Sequence, residues 1–179
     1  MPSLVLMPGY AAGRHFDHGG GGSNQLCLPE EPQWKNHVSG NGPAGWLYGI
    51  EYRTHGVHEV LFSGVNNGNS TDFNSKPAPC AVCYVPQRSA SLMIPARTSC
   101  PVGWTQEYTG YLMSEHSFGS SNSFRHSTTY ICVDGAPEVA TGNVNQIQAV
   151  LLFVRVGCGS LPCSKYHDTW EVACVVCTK

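Results

Sequence analysis

The chain has 179 residues, 41% of them hydrophobic and 12% charged, with a formal net charge of -2. That length suits one domain or two small ones. The weak charge excludes both the basic face of a nucleic-acid binder and the charge density of a disordered acidic chain. No run of about 18 apolar residues is present to span a membrane. The opening MPSLVLMPGY lacks the charged leader and apolar length of a signal peptide, so a mature or trimmed form is expected. Nine cysteines, with 20 glycines and 12 prolines, point to a secreted, disulfide-framed, loop-rich protein. The odd cysteine total leaves at least one thiol free or paired outside the chain.

Taken in chain order, the elements read as nearly all strand. DHGGGGSN (17–24) is a loop, and QLCLPEEP (25–32) carries a short strand with one cysteine. GWLYGIEYR (45–53) places Trp46, Tyr48, Ile50 and Tyr52 on one face, the alternation of a half-buried strand. VNNGNSTDFNS (65–75) is a loop that includes the glycosylation triplet Asn69-Ser70-Thr71. SASLMI, TTYICVD, AVLLFVRVG and WEVACVVC follow as further strands. The β-branched run from Ala149 to Gly157 is long enough for a fully buried one. No segment has a 3.6-residue period, so helix is expected to be minor. Trp46, Trp104 and Trp170 are expected to pack in the sheet or core, and Glu51, inside an aromatic strand, to be partnered.

The same order of features occurs twice. LVLMPGYAAG corresponds to TQEYTGYLMS, and each is followed by a polar loop, a strand with one cysteine, an apolar strand and C-[AV]-V-C. Tyr10 and Tyr111, Cys27 and Cys132, and Cys83 and Cys177 are 101, 105 and 94 residues apart. The chain is therefore expected to be all-β, with two homologous, disulfide-framed halves over residues 1–97 and 98–179 that together form one compact unit. If each half pairs its opening cysteine with its last, Cys100 joins Cys177, Cys132 joins Cys174, Cys27 joins Cys80, and Cys83 is unpaired. Cys158 and Cys163 then close the short CGSLPC loop. Crossed pairings between the halves stay open on sequence grounds.

The segment CAVC…IPARTSCPVGWTQEYTGYLM resembles the junction between the two halves of the collagen IV C-terminal non-collagenous domain. Cys80, Cys83, Ile94, Pro95, Cys100, Pro101, Gly103, Trp104, Gly110, Tyr111 and Met113 carry the likeness. It is closer to the C-terminal domains of sponge short-chain, spongin-type collagens. There GGGGSNQLCLPEEP, CAVC, ICVD, CGSLPC and the closing CVVC also have counterparts. The resemblance covers nearly the whole chain. It implies two homologous β-rich halves, is compatible with pairing within each half, and implies that the family's opening cysteine is the one lacking here. No Gly-x-y tract is present, so nothing in the chain winds a collagen triple helix. A free-standing domain of this kind needs another task, and its size and setting are similar to those of a galactose-specific, calcium-using lectin of sea anemones.

Two Cys-x-x-Cys pairs are also able to form a four-thiolate zinc site, but the other five cysteines and the glycine-rich loops favour disulfides. A thioredoxin-like centre needs a βαβ setting, which the pattern lacks. For carbohydrate, His15, Asp17, His18 and Asn24 offer donors and acceptors beside Phe16, and Arg125 and His126 do so in the second half. For calcium, Glu115, Asp134 and Glu138 are the candidate oxygen ligands. Solvated loops and an Asp134-Gly135 turn account for the same residues without a ligand. No nucleophile elbow, HExxH or phosphate loop is present, and no enzyme activity is expected. The expected function is a secreted lectin for glycans ending in galactose, calcium-assisted and homo-oligomeric, most simply a dimer. The alternative is an extracellular-matrix assembly module.

Overall fold

The computed structural model describes residues 4–18, 22–36, 45–55, 58–63, 73–115, 128–142, 145–146, 148–157 and 159–179. Among the described residues nine strands run in chain order: β1 Leu4–Gly13, β2 Leu26–Pro29, β3 Tyr48–Tyr52, β4 Pro79–Tyr84, β5 Ser91–Pro95, β6 Thr105–Ser114, β7 Ile131–Asp134, β8 Ala149–Phe153 and β9 Ala173–Thr178. Among the described residues the only helical element is a 3-10 turn, Glu59–Leu61. The fold is all-β, as the two-residue periodicity and the turn-rich spacing predict. One mixed sheet runs β2-β1-β3-β8-β6-β9-β5, with β4 beside β1 and β7 beside β6.

The long strands β1 and β6 organise the sheet. Gly9 lies opposite Pro29 on β2 and Cys80 on β4. Gly110 lies opposite Asp134 on β7 and Cys174 on β9. One bulge interrupts β1 between Val5 and Met7, and another interrupts β6 between Gln106 and Tyr108. Disulfides lock both arrangements. Cys27–Cys80 joins the two strands that flank β1, with their Cα atoms 5.6 Å apart. Cys132–Cys174 does the same around β6 at 5.8 Å. In a flat sheet, strands separated by one neighbour stand about 10 Å apart, so the sheet folds sharply at both places. A Cβ at Gly9 would stand 1.9 Å from the Leu28 carbonyl oxygen, and one at Gly110 1.9 Å from that of Val133. Only glycine fits there.

The third bridge, Cys100–Cys177, ties the start of β6 to the end of β9. Cys83 is free and exposed. Cys163 is disulfide-bonded, and its expected partner Cys158 lies outside the described residues, as does Asn69.

A parallel pair, β3 with β8, joins the two parts of the sheet in the register Ile50↔Ala149, Glu51↔Val150, Tyr52↔Leu151. The core gathers around this seam: Ile50, Tyr52, Phe62, Phe73, Ala78, Met113, Ala149 and Leu151. Phe62 packs edge-on or tilted against Tyr52, Phe73, Tyr111 and Phe153. β3 is buried on both faces rather than one, since Ile50, Glu51 and Tyr52 are all enclosed. The reason is what packs over it: Phe62 and Phe73 lie on Tyr52, and the Gln146 backbone reaches Glu51 on the opposite face. Buried Glu51 accepts a hydrogen bond from the Gln146 backbone N–H at 2.7 Å. Trp46 and Trp170 depart from the sequence expectation. Trp46 precedes β3 and is 57% exposed, and Trp170, 63% exposed, stacks on His167 in a surface turn. Trp104 is half-buried in the turn before β6. β5, which precedes residue 98, pairs with β9, so the sequence boundary at 97/98 cuts through one run of strands.

Candidate functional site

Two surfaces hold chemistry that the core does not require. The first lies where the chain leaves β1 and β6. Arg14 follows β1 and Glu115 follows β6, and their side chains are buried, with Arg14 Nε 3.1 Å from Glu115 Oε2. The contact is ionic without hydrogen-bond alignment, and among the described residues neither Arg14 Nε nor Glu115 Oε1 has a hydrogen-bond partner. Burial pushes the Glu115 carboxyl up to about 7, against the downward pull of Arg14. The other end of Arg14 donates from Nη1 to the His15 and His18 carbonyls, at 2.9 and 3.3 Å. Its role is to shape the loop after β1.

In that loop His15 and His18 stack with ring centroids 3.6 Å apart, and His15 meets the edge of the Tyr48 ring at 5.2 Å. His15 Nδ1 accepts from the Asp17 N–H at 3.1 Å. Burial, and after it the neighbouring His18, hold His15 below the usual histidine range. The Thr129 N–H donates to the Ser23 carbonyl at 2.8 Å, and Thr129 also bonds Gln25, so the segment before β2 is tied to the segment before β7. Between these parts is a shallow recess, partly open to solvent, lined by Arg14, Asn24, Gln25, Glu115 and Thr128 among others. Its enclosed space is about 10 Å³, on the order of the room one water molecule needs, so it is too small to engulf a hexose.

Of the expected sugar set, His15, Asp17 and His18 meet in the loop after β1 and Asn24 lines the recess, while Arg125 and His126 lie outside the described residues. The calcium set does not converge. Asp134 lies opposite Gly110, and Glu115 stands five residues further along that strand, about 16 Å at strand rise. Asp134 Oδ1 accepts from the Ala136 N–H at 2.9 Å, closing a turn. Glu138 is exposed, and its carbonyl accepts from the Tyr52 hydroxyl at 3.1 Å. Among the described residues no three His, Cys, Asp or Glu side chains gather where an ion would be held.

The second surface is a two-stranded ribbon formed by the start of β1 and the end of β4. Leu4 pairs with Tyr84, and Val5 with Cys83. Leu4, Val5 and Leu6 are each more than half exposed, and Val82 and Tyr84 are also exposed. The positions in the same register on β6 are Thr105, Gln106 and Glu107, of which Glu107 pairs with Arg88 and Thr178. One backbone arrangement therefore carries a polar, satisfied surface in one place and a bare apolar one in the other. Sequence reasoning missed both Arg14 and this ribbon. The signal for the ribbon was present in the alignment of LVL with TQE. Nothing in the sequence marks Arg14, because its partner lies 101 residues away. No family model matches the chain, and no solved structure does.

Proposed function

We propose that the chain is an extracellular-matrix assembly module, a disulfide-framed β body that joins protein chains through its apolar ribbon. We further infer that its two halves are copies of one unit related to the C-terminal domains of sponge short-chain collagens. The exposed Leu4-Val5-Leu6 run beside Val82 and Tyr84 carries the functional reading. A contiguous apolar patch on a strand pair is a liability unless a partner covers it. Three intramolecular disulfides fit an extracellular protein. The matching registers around Gly9 and Gly110 support the two-copy reading, as do the ordered cysteine motifs.

The test replaces Leu4→Thr, Val5→Gln and Leu6→Glu together, the residues that the same local geometry already accepts on β6. Sedimentation velocity over a wide concentration range should show association of the wild-type chain and a monomer for the variant, with unchanged circular dichroism. A wild-type chain that stays monomeric at every concentration, and captures no matrix protein, sinks the reading.

A second reading, the galactose-type lectin, draws on the His15–His18 stack at the edge of Tyr48. A ring face next to imidazole groups suits a sugar held at a rim rather than enclosed. Retention on immobilised galactose, released by free galactose, would establish it. Release by a chelator would add calcium, and no retention on a broad glycan panel would remove the lectin reading.

A further inference from the structure

Pairing around β1 repeats that around β6 position by position. Tyr10 lies opposite Leu28 as Tyr111 lies opposite Val133, and Ala12 lies opposite Gly49 as Met113 lies opposite Phe153. The Glu30 N–H donates to the Pro8 carbonyl at 3.4 Å, as the Gly135 N–H donates to that of Thr109 at 3.1 Å. Around β6 the resulting surface is filled. Tyr111, Ile131, Val133, Val139 and Phe153 pack against the core. Phe62 enters among them from the 3-10 turn, its ring centroid 6.4 Å from that of Tyr111 and 5.0 Å from that of Phe153. Ser63 then fixes the turn, its N–H and its hydroxyl both donating to the Gly135 carbonyl, at 2.7 and 3.1 Å. Around β1 the matching surface is bare. Cross-strand partners and residues two apart share a face, so Tyr10, Leu26, Leu28 and Gly49 lie together, and all four are exposed. Gly49 stands where Phe153 does, with open space where its Cβ would be. Trp34, six residues after Leu28 as Val139 is after Val133, is exposed too. Among the described residues nothing donates to the Glu30 carbonyl.

We propose that this surface docks a turn of a partner protein that presents a phenylalanine ring over Gly49, a backbone N–H to the Glu30 carbonyl directly after it, and then a basic residue. The fold supplies the template, because Phe62 and Ser63 make the first two contacts on the matching surface of β6 and β7. The space left by a glycine in the place of Phe153 is what the partner's ring fills, and an aromatic against Tyr10 and Leu28 is favourable beyond its area. The basic residue follows from charge: Glu30 and Glu31 stand where Gly135 and Ala136 are neutral. A second copy of this chain is not the occupant, since its own Phe62 is 2% exposed and is held in the seam of the core. Both the surface and its template lie within the described residues, between Pro8 and Phe153. This goes beyond the assembly reading: the Leu4–Tyr84 ribbon is a different contact, and either one is able to fail alone.

The probe is a labelled cyclic peptide carrying HEVLFS, the sequence of residues 58–63, followed by two lysines, with cyclisation to hold the turn. Fluorescence anisotropy against the whole chain should show saturable binding with a Kd below about 1 mM. Alanine for the peptide's phenylalanine should weaken it about tenfold or more. Two glutamates in place of the lysines should weaken it several-fold at low salt, a difference that closes as salt rises. Leu28→Lys and Gly49→Phe should each weaken binding about tenfold or more with circular dichroism unchanged, since Leu28 is exposed and a Cβ at Gly49 meets nothing. The β1 triple replacement should leave binding intact, which separates this surface from the ribbon. Absence of saturable binding overturns the proposal, as does binding that keeps its strength without the phenylalanine. Binding that both Leu28→Lys and Gly49→Phe leave intact places the peptide elsewhere and overturns it as well. Self-association of the chain that Leu28→Lys removes, with no binding of the peptide, assigns the surface to a second copy and also overturns it.

Discussion

Arg14 and Glu115 show how far a buried pair departs from a surface one. Both charges leave water, and the contact lacks the alignment that would offset the desolvation. Glu115 therefore prefers its neutral form, with a carboxyl pushed up to about 7 from an ordinary 4.5. A carboxyl raised on folding binds its proton more tightly in the native chain. The native state is then favoured below pH 4.5, and that advantage fades as pH rises from 4.5 to about 7. At about 1.4 kcal/mol per unit, up to about 3 kcal/mol is at stake across the window. The difference in melting temperature between the wild type and Glu115→Gln should shift against the wild type as pH rises from 4.5 to about 7, while groups such as His15, held low, act on both chains alike. A difference that stays constant or shifts the other way contradicts this account. Gly110 gives a sharper case. A Cβ there meets backbone at 1.9 Å, which no side-chain movement relieves. Gly110→Ala should destabilise the fold by about 3 kcal/mol or more, read by chemical denaturation. Gly157, with open space around its added Cβ, is the control position.

At the level of elements, most strands were legible because each contains a short alternating or β-branched run between turn residues. The segments ICVD and ACVVC became β7 and β9. Their environment was less legible. Whether a strand is wet on one face depends on its neighbours, and nothing local to GWLYGIEYR says that β3 lies between β1 and β8. Trp46 stands outside the strand for a related reason: an alternating pattern continues in sequence after the pairing that buries it has ended. Cys27–Cys80, Cys100–Cys177 and Cys132–Cys174 each close within one half of the chain, but spacing alone left crossed pairings open. Cys132–Cys174 encloses 42 residues of separation, and loop-closure entropy assigns such a bridge about 4 kcal/mol. Replacing both cysteines by alanine should lower stability by about that amount. A much smaller loss would mean that the sharp bend at Gly110 is held by pairing alone.

For the whole molecule, the candidate sites were partly legible. The polar loops after β1 and β6 stood out by composition, whereas the Arg14–Glu115 contact depends on bringing distant loops together. The same seam bears on domain organisation. Two similar halves are expected to form one compact unit, and the core draws Ile50, Tyr52, Phe62 and Phe73 from one and Met113, Ala149 and Leu151 from the other. β3 and β8 also exchange backbone pairing across the seam. Phe62 is the place to test this, being 2% exposed and packed on rings from both parts. Phe62→Ala should cost about 3–5 kcal/mol. If the seam makes one cooperative unit, calorimetry should show a single transition in wild type and variant, shifted as a whole. Independent halves would instead give two transitions, with the one containing Phe62 moving alone. On the proposed assembly reading the first behaviour is the useful one, because load applied at the β1–β4 ribbon then passes into the whole sheet and its bridges rather than opening one half.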